Sequence, residues 1–232
     1  MQFSWTKTKT VLKNTAYGAI IASMIGAAGG VIYVGNFVNK NILAVKSINK
    51  LELAQNPNSE IYADDGKTLI WTDAEYLHFP STKENTPDIL IDMLLATEDQ
   101  TFYKNQGYSE QAIALTILTI LKDKLLNTND ARGGSTITQQ LIKNIRYLDQ
   151  NISDYDRKIQ EITLSKRLTS DFSKEDILFA YLNKVGFLES SYGFNSAMYL
   201  LYGEETSKDK NDSTHLAKYA TIIGMLKNPS LY

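Results

Sequence analysis

The sequence predicts a mainly α-helical protein with one minor β-hairpin, preceded by a single N-terminal transmembrane helix. Three observations support this prediction. No charged residue occurs between Lys13 and Lys40. The remainder of the chain contains repeated helix-start signals, in which a hydroxyl residue precedes acidic residues and an apolar run. One segment combines β-forming residues with a tight-turn dipeptide, Asp65-Gly66.

The apolar stretch from Ala16 to Val38 is the predicted membrane span. Its 23 residues would extend about 34 Å as a helix, at ~1.5 Å per residue, which is enough to cross a bilayer. A cleaved signal peptide is the alternative, because three lysines precede the stretch and Ala27 and Ala28 are small residues. The length favours an uncleaved anchor. Lysines on both sides leave the orientation open.

The chain therefore divides into four predicted parts. These are a short basic segment at 1–15, the transmembrane anchor at 16–38, a polar stalk at 39–58 and a globular domain at 59–232. With 232 residues the chain can form one sizeable globular core.

Local signals predict the order of elements in the globular domain. A hairpin around Asp65-Gly66 comes first, and Thr86 then caps a helix that has Pro87 in its first turn and ends near Glu98. Further helices are expected after Ser109, after the loop at 132–136, after Ser153 and Ser173, and over 194–201 and 216–226.

Composition excludes several classes of protein. Of the 24 basic residues, six lysines lie in the first fifty positions, which contain no acid, so the remainder holds 18 basic and 26 acidic residues. An acidic body disfavours a nucleic-acid-binding protein. The absence of cysteine excludes disulfides, thiolate catalysis and cysteine-ligated metals. His78 and His215 lie in no recognisable metal-ligand spacing, so no metal-ligating residue is predicted.

Residues 132–144 carry the strongest functional signal and read Arg-Gly-Gly-Ser-Thr-Ile-Thr-Gln-Gln-Leu-Ile-Lys-Asn. Gly133 and Gly134 let the backbone come close to a ligand. Ser135 is expected to cap the next helix, so that unpaired N–H groups and the positive end of the helix dipole face the ligand. The following turns add the donors Gln139, Gln140, Lys143 and Asn144. This pattern indicates a site for an anionic, hydroxyl-rich ligand, although composition alone also allows a Gly-Gly turn before an ordinary amphipathic helix.

Two further groups of charged residues are candidates for chemistry. Glu98 and Asp99 end an apolar helix, and a partly desolvated carboxylate is a suitable general base; two solvated acids at a helix end are the alternative. Arg157 and Glu161 are four residues apart, a spacing that also occurs as a simple ion pair on exposed helices, worth ~0.2–0.5 kcal/mol.

Specific sequence motifs favour the functional interpretation of these residues. Gly-Gly-Ser-Thr-Ile-Thr-Gln-Gln resembles the signature of the family 51 glycosyltransferases, which polymerise peptidoglycan either alone or as the N-terminal half of class A penicillin-binding proteins. Glu98, Asp99, Phe102 and Gly107 match the family motif Glu-Asp-x-x-Phe-x-x-His-x-Gly, and 157–161 matches Arg-Lys-x-x-Glu. Later motifs match at 181–183, 192–194 and 227–232. The similarity covers residues 59–232.

The resemblance implies a lysozyme-like helical glycosyltransferase domain that joins lipid II to a growing lipid-linked glycan, with inversion at the anomeric carbon. It implies Glu98 and Glu161 as the catalytic acids. It implies substrate binding by Asp99, Phe102, Gly134, Ser135, Thr136, Gln139, Gln140, Lys143, Asn144, Arg157 and Lys158. A divalent cation, Mg²⁺ or Mn²⁺, is a candidate cofactor, and no organic cofactor is expected. The expected location is the cell membrane, single-pass, with the domain extracytoplasmic and with partners from cell-wall synthesis.

The chain also departs from the family pattern. Asn105 stands where the family usually has His, Phe179 where Glu is common, and an additional Arg before Arg157 is missing. Arg146 is a candidate replacement for that Arg. Two alternatives therefore stay open at this point: a lysozyme-like enzyme that cleaves glycan, and a catalytically weakened homologue that acts as a cell-wall scaffold.

Overall fold

The computed structural model describes residues 28–54, 60–72, 79–111, 113–114, 134–147, 150–188 and 191–226. The chain divides into two compact units, Met1–Ala44 and Val45–Tyr232. The described elements are mainly helical, as the sequence predicts.

Within the first unit, residues 28–44 form helix α1, and the Asn41 side chain donates a hydrogen bond of 3.0 Å to the carbonyl of Phe37. The predicted membrane span at 16–38 lies partly outside the described residues. Among those that are described, no helix has both the length and the apolar character needed to cross a membrane.

The second unit begins with a segment that belongs to its core. Ile48, and Leu53 in the short helix α2 (Lys50–Leu53), are buried. Glu52 forms a 2.6 Å ion pair with Arg146, and Arg167 donates to the carbonyl of Val45 at 3.0 Å. These contacts fix residues 45–53 onto the globular body. The limits of the stalk, predicted at 39–58, stay a prediction.

The predicted hairpin is confirmed. Strands β1 (Glu60–Tyr62) and β2 (Leu69–Thr72) pair antiparallel. At the turn, the Asp65 carboxylate accepts hydrogen bonds of 2.8 Å from the backbone N–H groups of Lys67 and Thr68. Gly66 adopts φ +64°, a conformation that favours glycine.

Six longer helices follow in the described ranges, with a short β-ribbon between the fourth and fifth of them. They are α3 (Asp88–Glu98), α4 (Ile137–Arg146), α5 (Asp154–Asp171), α6 (Lys174–Lys184), α7 (Phe194–Tyr202) and α8 (Ser213–Met225). Residues 110–111 and 113–114 are also helical. The apolar helix predicted to continue through 121 lies largely outside the described residues.

Helix starts test the capping predictions individually. Ser153 and Ser173 are N-caps, each accepting a hydrogen bond from the backbone N–H three residues later. Thr86 is not the cap of α3: Pro87 occupies the N-cap position without a side-chain bond. The backbone of Pro87 is itself extended, with φ −65° and ψ 141°, so the helix begins at Asp88, one residue later than predicted.

The core of the second unit lies around α4. This helix packs against both α5 and α6, while α3 packs against α8. Ile137, Leu141 and Ile142 of α4 are fully buried. The core therefore surrounds the helix that carries the signature residues and holds it firmly in place.

Asn183 and Gly107 hold the loops around this core in place. Asn183 joins the end of α6 to the loop at 79–82, because its amide accepts from the N–H of Ser81 at 2.7 Å and donates to the carbonyl of Ser81 at 2.8 Å. Asn183 thus holds the junction between α6 and this loop. Gly107 has φ +87°, and a Cβ there would lie 2.4 Å from the carbonyl oxygen of Ser165. Only glycine fits at this contact.

The sequence did not predict the small ribbon formed by β3 (Gly186–Leu188) and β4 (Ser191–Tyr192). Strands of two and three residues are too short to show an alternating pattern.

Candidate active site

Glu98 is the last residue of α3, where that helix leaves the core. Its Oε2 accepts a hydrogen bond of 2.9 Å from Nε2 of Gln140. Its Oε1 is buried and has no hydrogen-bond partner among the described residues. A buried acceptor without a donor is unfavourable until a ligand supplies one. Glu98 is therefore the candidate proton acceptor of the site.

Gln140 connects Glu98 to the core. Its Oε1 accepts a hydrogen bond of 2.9 Å from the hydroxyl of Tyr181, a residue with no exposed surface. Burial, and in addition the charge of Glu98, raises the pKa of the Tyr181 hydroxyl. The hydroxyl therefore stays protonated and acts as the donor. No sequence pattern predicted this contact, which joins residues distant in the chain.

In the described part of the chain, the carboxylate of Asp99 is surrounded by protein groups. It is 8% exposed. It accepts hydrogen bonds from the N–H and hydroxyl of Thr101, from the side chain of Asn105 and, at 3.2 Å, from the N–H of Ile137. Ile137 is the first residue of α4, so Asp99 places a negative charge at the positive end of that helix. Substrate binding by Asp99 stays a prediction; the described contacts position α4.

Asn105, the departure from the family pattern, is central to this network. Its Nδ2 lies 3.1 and 3.0 Å from the two oxygens of Asp99. Its Oδ1 accepts from Nζ of Lys174 at 2.9 Å and from the N–H of Gly107 at 2.9 Å. Burial lowers the pKa of Lys174, and the charge of Asp99 opposes that effect. The Asn105 amide thus donates hydrogen bonds to the Asp99 carboxylate and also binds the ammonium group of Lys174.

The signature segment starts its helix one residue later than predicted. Thr136 is the N-cap and forms a capping box with Gln139; Ser135 is not the cap. The spacing Thr-x-x-Gln is itself a capping-box signal that the sequence contains. Because side chains occupy the N–H groups of Thr136, Ile137 and Gln139, these groups are not open to a ligand. The expectation that the helix end faces the ligand with unpaired N–H groups is wrong at these three positions.

Ser135, released from capping, contacts a cation instead. Its Oγ accepts a hydrogen bond of 2.6 Å from Nζ of Lys158. Since Oγ is the acceptor here, its own hydrogen remains available for a further acceptor.

Glu161 is 1% exposed and is held between two cations. Its oxygens accept from Arg157 at 2.5 Å and from Lys158 at 3.2 Å. Arg157 also pairs with Asp154 at 2.6 Å. Burial alone would lower the pKa of Arg157, but Asp154 and Glu161 outweigh burial and raise the pKa. The guanidinium is therefore firmly charged.

The signature segment contacts Glu98 directly and Glu161 through Lys158. Gln140 binds Glu98, and Ser135 binds Lys158, which in turn binds Glu161. At ~1.5 Å per residue, Thr136 and Gln140 are separated by only about 6 Å along the helix axis. The residues that contact the Glu98 carboxylate and the cation cluster thus lie little more than one turn apart on the same segment.

A sequence model of the family described as "Transglycosylase" matches residues 65–232. The chain belongs to the transglycosylase family. It is 31% identical over 222 residues to penicillin-binding protein 1A/1B of Bacillus subtilis, covering 96% of this chain and 23% of that relative. It is 30% identical over 228 residues to penicillin-binding protein 1A of Clostridium perfringens, covering 98% of this chain and 32% of the relative.

Penicillin-binding protein 2a of Streptococcus pneumoniae is 38% identical over 143 residues, which are 62% of this chain and 18% of the relative. The chain spans less than a third of the length of each of these relatives.

The other residues that the transglycosylase resemblance assigns to substrate differ in exposure. Gly134 and Lys143 are exposed, and Asn144 is half-buried, so these three can reach a ligand. Phe102 is 1% exposed and carries Nζ of Lys174 at 4.6 Å from its ring centre. The described contacts of the Phe102 ring are packing contacts, and substrate contact by Phe102 stays a prediction.

Two departures from the transglycosylase pattern have a structural explanation. Arg146 pairs with Glu52 at 2.6 Å and donates to the carbonyl of Ser47 at 3.4 Å. Its charge is thus committed to the segment before the hairpin, and it does not replace the missing Arg near Glu161 in the described contacts. Phe179 packs against the hydrophobic core, a use that a glutamate could not fulfil.

The described acids do not form a cage for a divalent cation. No group of three or more His, Cys, Asp or Glu residues lies close enough together within the described ranges. Both oxygens of Glu161 face cations, and both oxygens of Asp99 accept protein donors. Of these three acids in the described site, Glu98 leaves one oxygen without a hydrogen-bond partner, fewer than the several oxygens that Mg²⁺ requires.

Proposed function

We propose that this chain is a peptidoglycan glycosyltransferase that polymerises lipid II and releases undecaprenyl pyrophosphate. One observation carries the proposal: the signature segment contacts both a carboxylate with an open oxygen, Glu98, and a cation cluster, Arg157 and Lys158. Sugar transfer from a pyrophosphate needs both groups, a base for the acceptor hydroxyl and positive charge for the leaving group. Membership of the transglycosylase family supports the same reaction.

In the proposed reaction Glu98 is the general base. Its Oε1 takes the proton of the 4-hydroxyl on the N-acetylglucosamine of the incoming lipid II. The hydroxyl oxygen then bonds to the anomeric carbon of the growing glycan from the face opposite the pyrophosphate, so the anomeric configuration inverts. Positioned proton transfer of this kind contributes roughly 10²–10⁴ in rate.

The bond from the anomeric carbon to the pyrophosphate oxygen breaks in the same step. The electron pair leaves with the pyrophosphate, whose increased negative charge needs stabilisation. Lys158 and Arg157 provide fixed positive charge, and the hydroxyl of Ser135 provides a donor. Lys143 is exposed and can reach the phosphates from α4. Glu161 holds the two cations in place and is a positioning acid in this proposal.

We further propose that a divalent cation, Mg²⁺ or Mn²⁺, takes its ligands from the substrate. Mg²⁺ is usually held by one or two carboxylates together with substrate phosphates and water. The pyrophosphate oxygens fit this description better than the described acids do. The steps above are carried by the side chains of the chain itself.

The membrane is part of the proposal because both substrates carry lipid tails. An anchor at 16–38 would hold the domain, on the extracytoplasmic side, close to the bilayer in which lipid II is embedded. Interaction with other cell-wall synthesis proteins is proposed on the same grounds, since the relatives are penicillin-binding proteins.

The test is polymerisation of labelled lipid II by the full chain in detergent or liposomes, with glycan strands separated by size. The wild-type chain should form strands and Glu98→Gln should not, while Glu175→Gln, at an exposed acid, should behave as wild type. Soluble fragments released from purified sacculi, with no strand formation, would establish the glycan-cleaving alternative. Lipid II binding without turnover by the wild-type chain would establish the scaffold alternative.

A further inference from the structure

Gln140 is the described donor to the side chain of Glu98, and its amide can bind Glu98 in only one orientation. The NH₂ group must face the carboxylate, because the amide oxygen would repel it. The amide oxygen then points away from Glu98 and requires a donor of its own. That donor is the hydroxyl of Tyr181, at 2.9 Å.

The two hydrogen bonds that link Tyr181, Gln140 and Glu98 therefore have a fixed donor-to-acceptor direction. Tyr181 is 0% exposed, and burial together with the charge of Glu98 keeps its hydroxyl protonated by raising its pKa. A protonated hydroxyl can always donate to the amide oxygen. Each hydrogen bond thus favours the orientation that directs a donor towards the ionised carboxylate.

The hydroxyl of Tyr181 contributes something that the ring does not. The ring fills the core beside Leu178 and Leu182, both 1% exposed or less, and phenylalanine would fill the same volume. Within the described residues, the hydrogen bond of the hydroxyl is the one to Gln140. Loss of the hydroxyl would therefore act mainly on Gln140 and, through it, on Glu98.

We propose that Tyr181 is a positioning residue for the catalytic base, holding the Gln140 amide so that it stabilises the ionised form of Glu98. This inference rests on the proposed function, in which Glu98 accepts the proton. It assigns Tyr181 a role in the reaction, beyond the packing that the sequence indicates.

The variant Tyr181→Phe tests the inference in the full chain. The maximal rate of lipid II polymerisation should fall about five- to tenfold, the effect of one hydrogen bond, with KM unchanged. The acid limb of the pH–rate profile should move to higher pH, because a carboxylate that loses a donor ionises less readily. In a Gln140→Ala background, Tyr181→Phe should cause no further loss, since the connection is already absent.

The matched control is Tyr219→Phe. Tyr219 is also 0% exposed, and its hydroxyl donates to the carbonyl of Lys210 at 2.7 Å, in a hydrogen bond that involves neither Gln140 nor Glu98. The Tyr219→Phe variant should lose stability as Tyr181→Phe does. The acid limb of its pH–rate profile should stay as in wild type. An acid limb that is unmoved in Tyr181→Phe, or moved equally in Tyr219→Phe, overturns the inference.

A second readout does not require turnover. The side-chain amide signals of Gln140 in an NMR spectrum, identified by their loss in Gln140→Ala, should change with pH as Glu98 ionises, and Glu98→Gln should abolish that change. In Tyr181→Phe the change should occur at higher pH, and an unaltered titration refutes the inference. If wild-type protein shows this titration but forms no glycan, the polymerase proposal fails while the positioning role of Tyr181 stands.

Discussion

Four donor groups surround the carboxylate of Asp99 in the described part of the molecule, whereas one amide reaches the carboxylate of Glu98, its neighbour in the chain. Both acids lie at the end of α3, yet Glu98 still belongs to the helix and Asp99 has turned out of it, with φ −158°. The change of backbone direction sends the two side chains into different surroundings.

The difference separates a structural acid from a reactive one. A carboxylate whose oxygens already accept protein donors stabilises the fold and gains little from a ligand. A carboxylate with one buried oxygen that lacks a hydrogen-bond donor gains that donor when a substrate hydroxyl binds to it. The comparison assigns chemistry to Glu98 and the positioning of α4 to Asp99, and each of the following variants tests one side of that assignment.

The largest expected effect is on turnover in Glu98→Gln. We expect the rate of lipid II polymerisation to fall roughly 10²–10⁴-fold, because the amide cannot accept the proton. The melting temperature should stay within about 2 °C of wild type, since the open oxygen makes no protein contact that is lost. Polymerisation assays and thermal unfolding of the same preparation measure both; near-wild-type turnover would remove Glu98 from the chemistry.

Asp99→Asn should show the reverse pattern. The amide places an NH₂ group against either the N–H of Thr101 or the N–H of Ile137, and it removes the charge at the start of α4. We expect a loss of about 1–3 kcal/mol in the free energy of unfolding, which lowers the melting temperature by roughly 3–10 °C. Asp92→Asn, at an exposed acid on the same helix, is the control.

Turnover by the folded fraction of Asp99→Asn should fall less than about tenfold, well short of the effect of Glu98→Gln. A loss of turnover as large as that of Glu98→Gln, at unchanged stability, would contradict the separation of the two acids.

Asn105→Ala should produce a smaller loss of stability than Asp99→Asn. It removes the amide that binds both oxygens of Asp99 and leaves Lys174 without its acceptor. About 1–2 kcal/mol is expected in chemical denaturation. Gln106→Ala, in the same loop and exposed, should have little effect. Equal stability of the two variants would show that Asn105 does not support the Asp99 network.

The smallest expected effect is a pH dependence of stability due to Lys174. Burial lowers its pKa below the ordinary value of 10.5, so the unfolded chain binds this proton more tightly than the folded protein does. The charged form of Lys174 therefore destabilises the folded protein. This destabilisation disappears as the pH rises through the pKa of Lys174 in the folded protein towards 10.5. The unfolding free energy of wild type minus that of Lys174→Gln should therefore increase as the pH rises through the lowered pKa of Lys174 towards 10.5.

Chemical denaturation at several pH values measures this difference, with Lys166→Gln at an exposed lysine as the control. A difference that is constant or decreases with pH would show that Lys174 is not held in a desolvated position beside Asp99.

Sequence alone predicted the features that depend on neighbouring residues. The hairpin at Asp65-Gly66 and the caps at Ser153 and Ser173 are formed by side chains that bond to backbone two or three positions away. The errors at Ser135 and Thr86 are one-residue displacements. Ser135 and Thr136 are adjacent hydroxyl residues that could each cap α4, and tertiary contacts distinguish them, since Lys158 binds Ser135. At α3 the extended backbone of Pro87 moves the helix start.

The arrangement around the acids could be predicted only in part. The motif match selected Glu98, Gln140, Lys158 and Glu161, which the structure brings together through α4. It could not predict that Asp99 is satisfied by the protein while Glu98 is not, because that depends on the direction in which the chain leaves α3. Nor did it link Tyr181 to Glu98, since the contact runs across three helices and leaves no periodic pattern.

In the proposed reaction, the unpaired carboxylate oxygen of Glu98 and the cations near Glu161 act on two substrates at once, the acceptor sugar and the donor pyrophosphate. A crystal structure of the Glu98→Gln variant with lipid II in both the donor and the acceptor position would show whether they do. We expect the 4-hydroxyl of the acceptor within ~2.6–3.2 Å of the side chain at position 98, and the pyrophosphate of the donor in contact with Lys158. An acceptor hydroxyl and a donor pyrophosphate that both lie remote from these two side chains would contradict the proposed reaction.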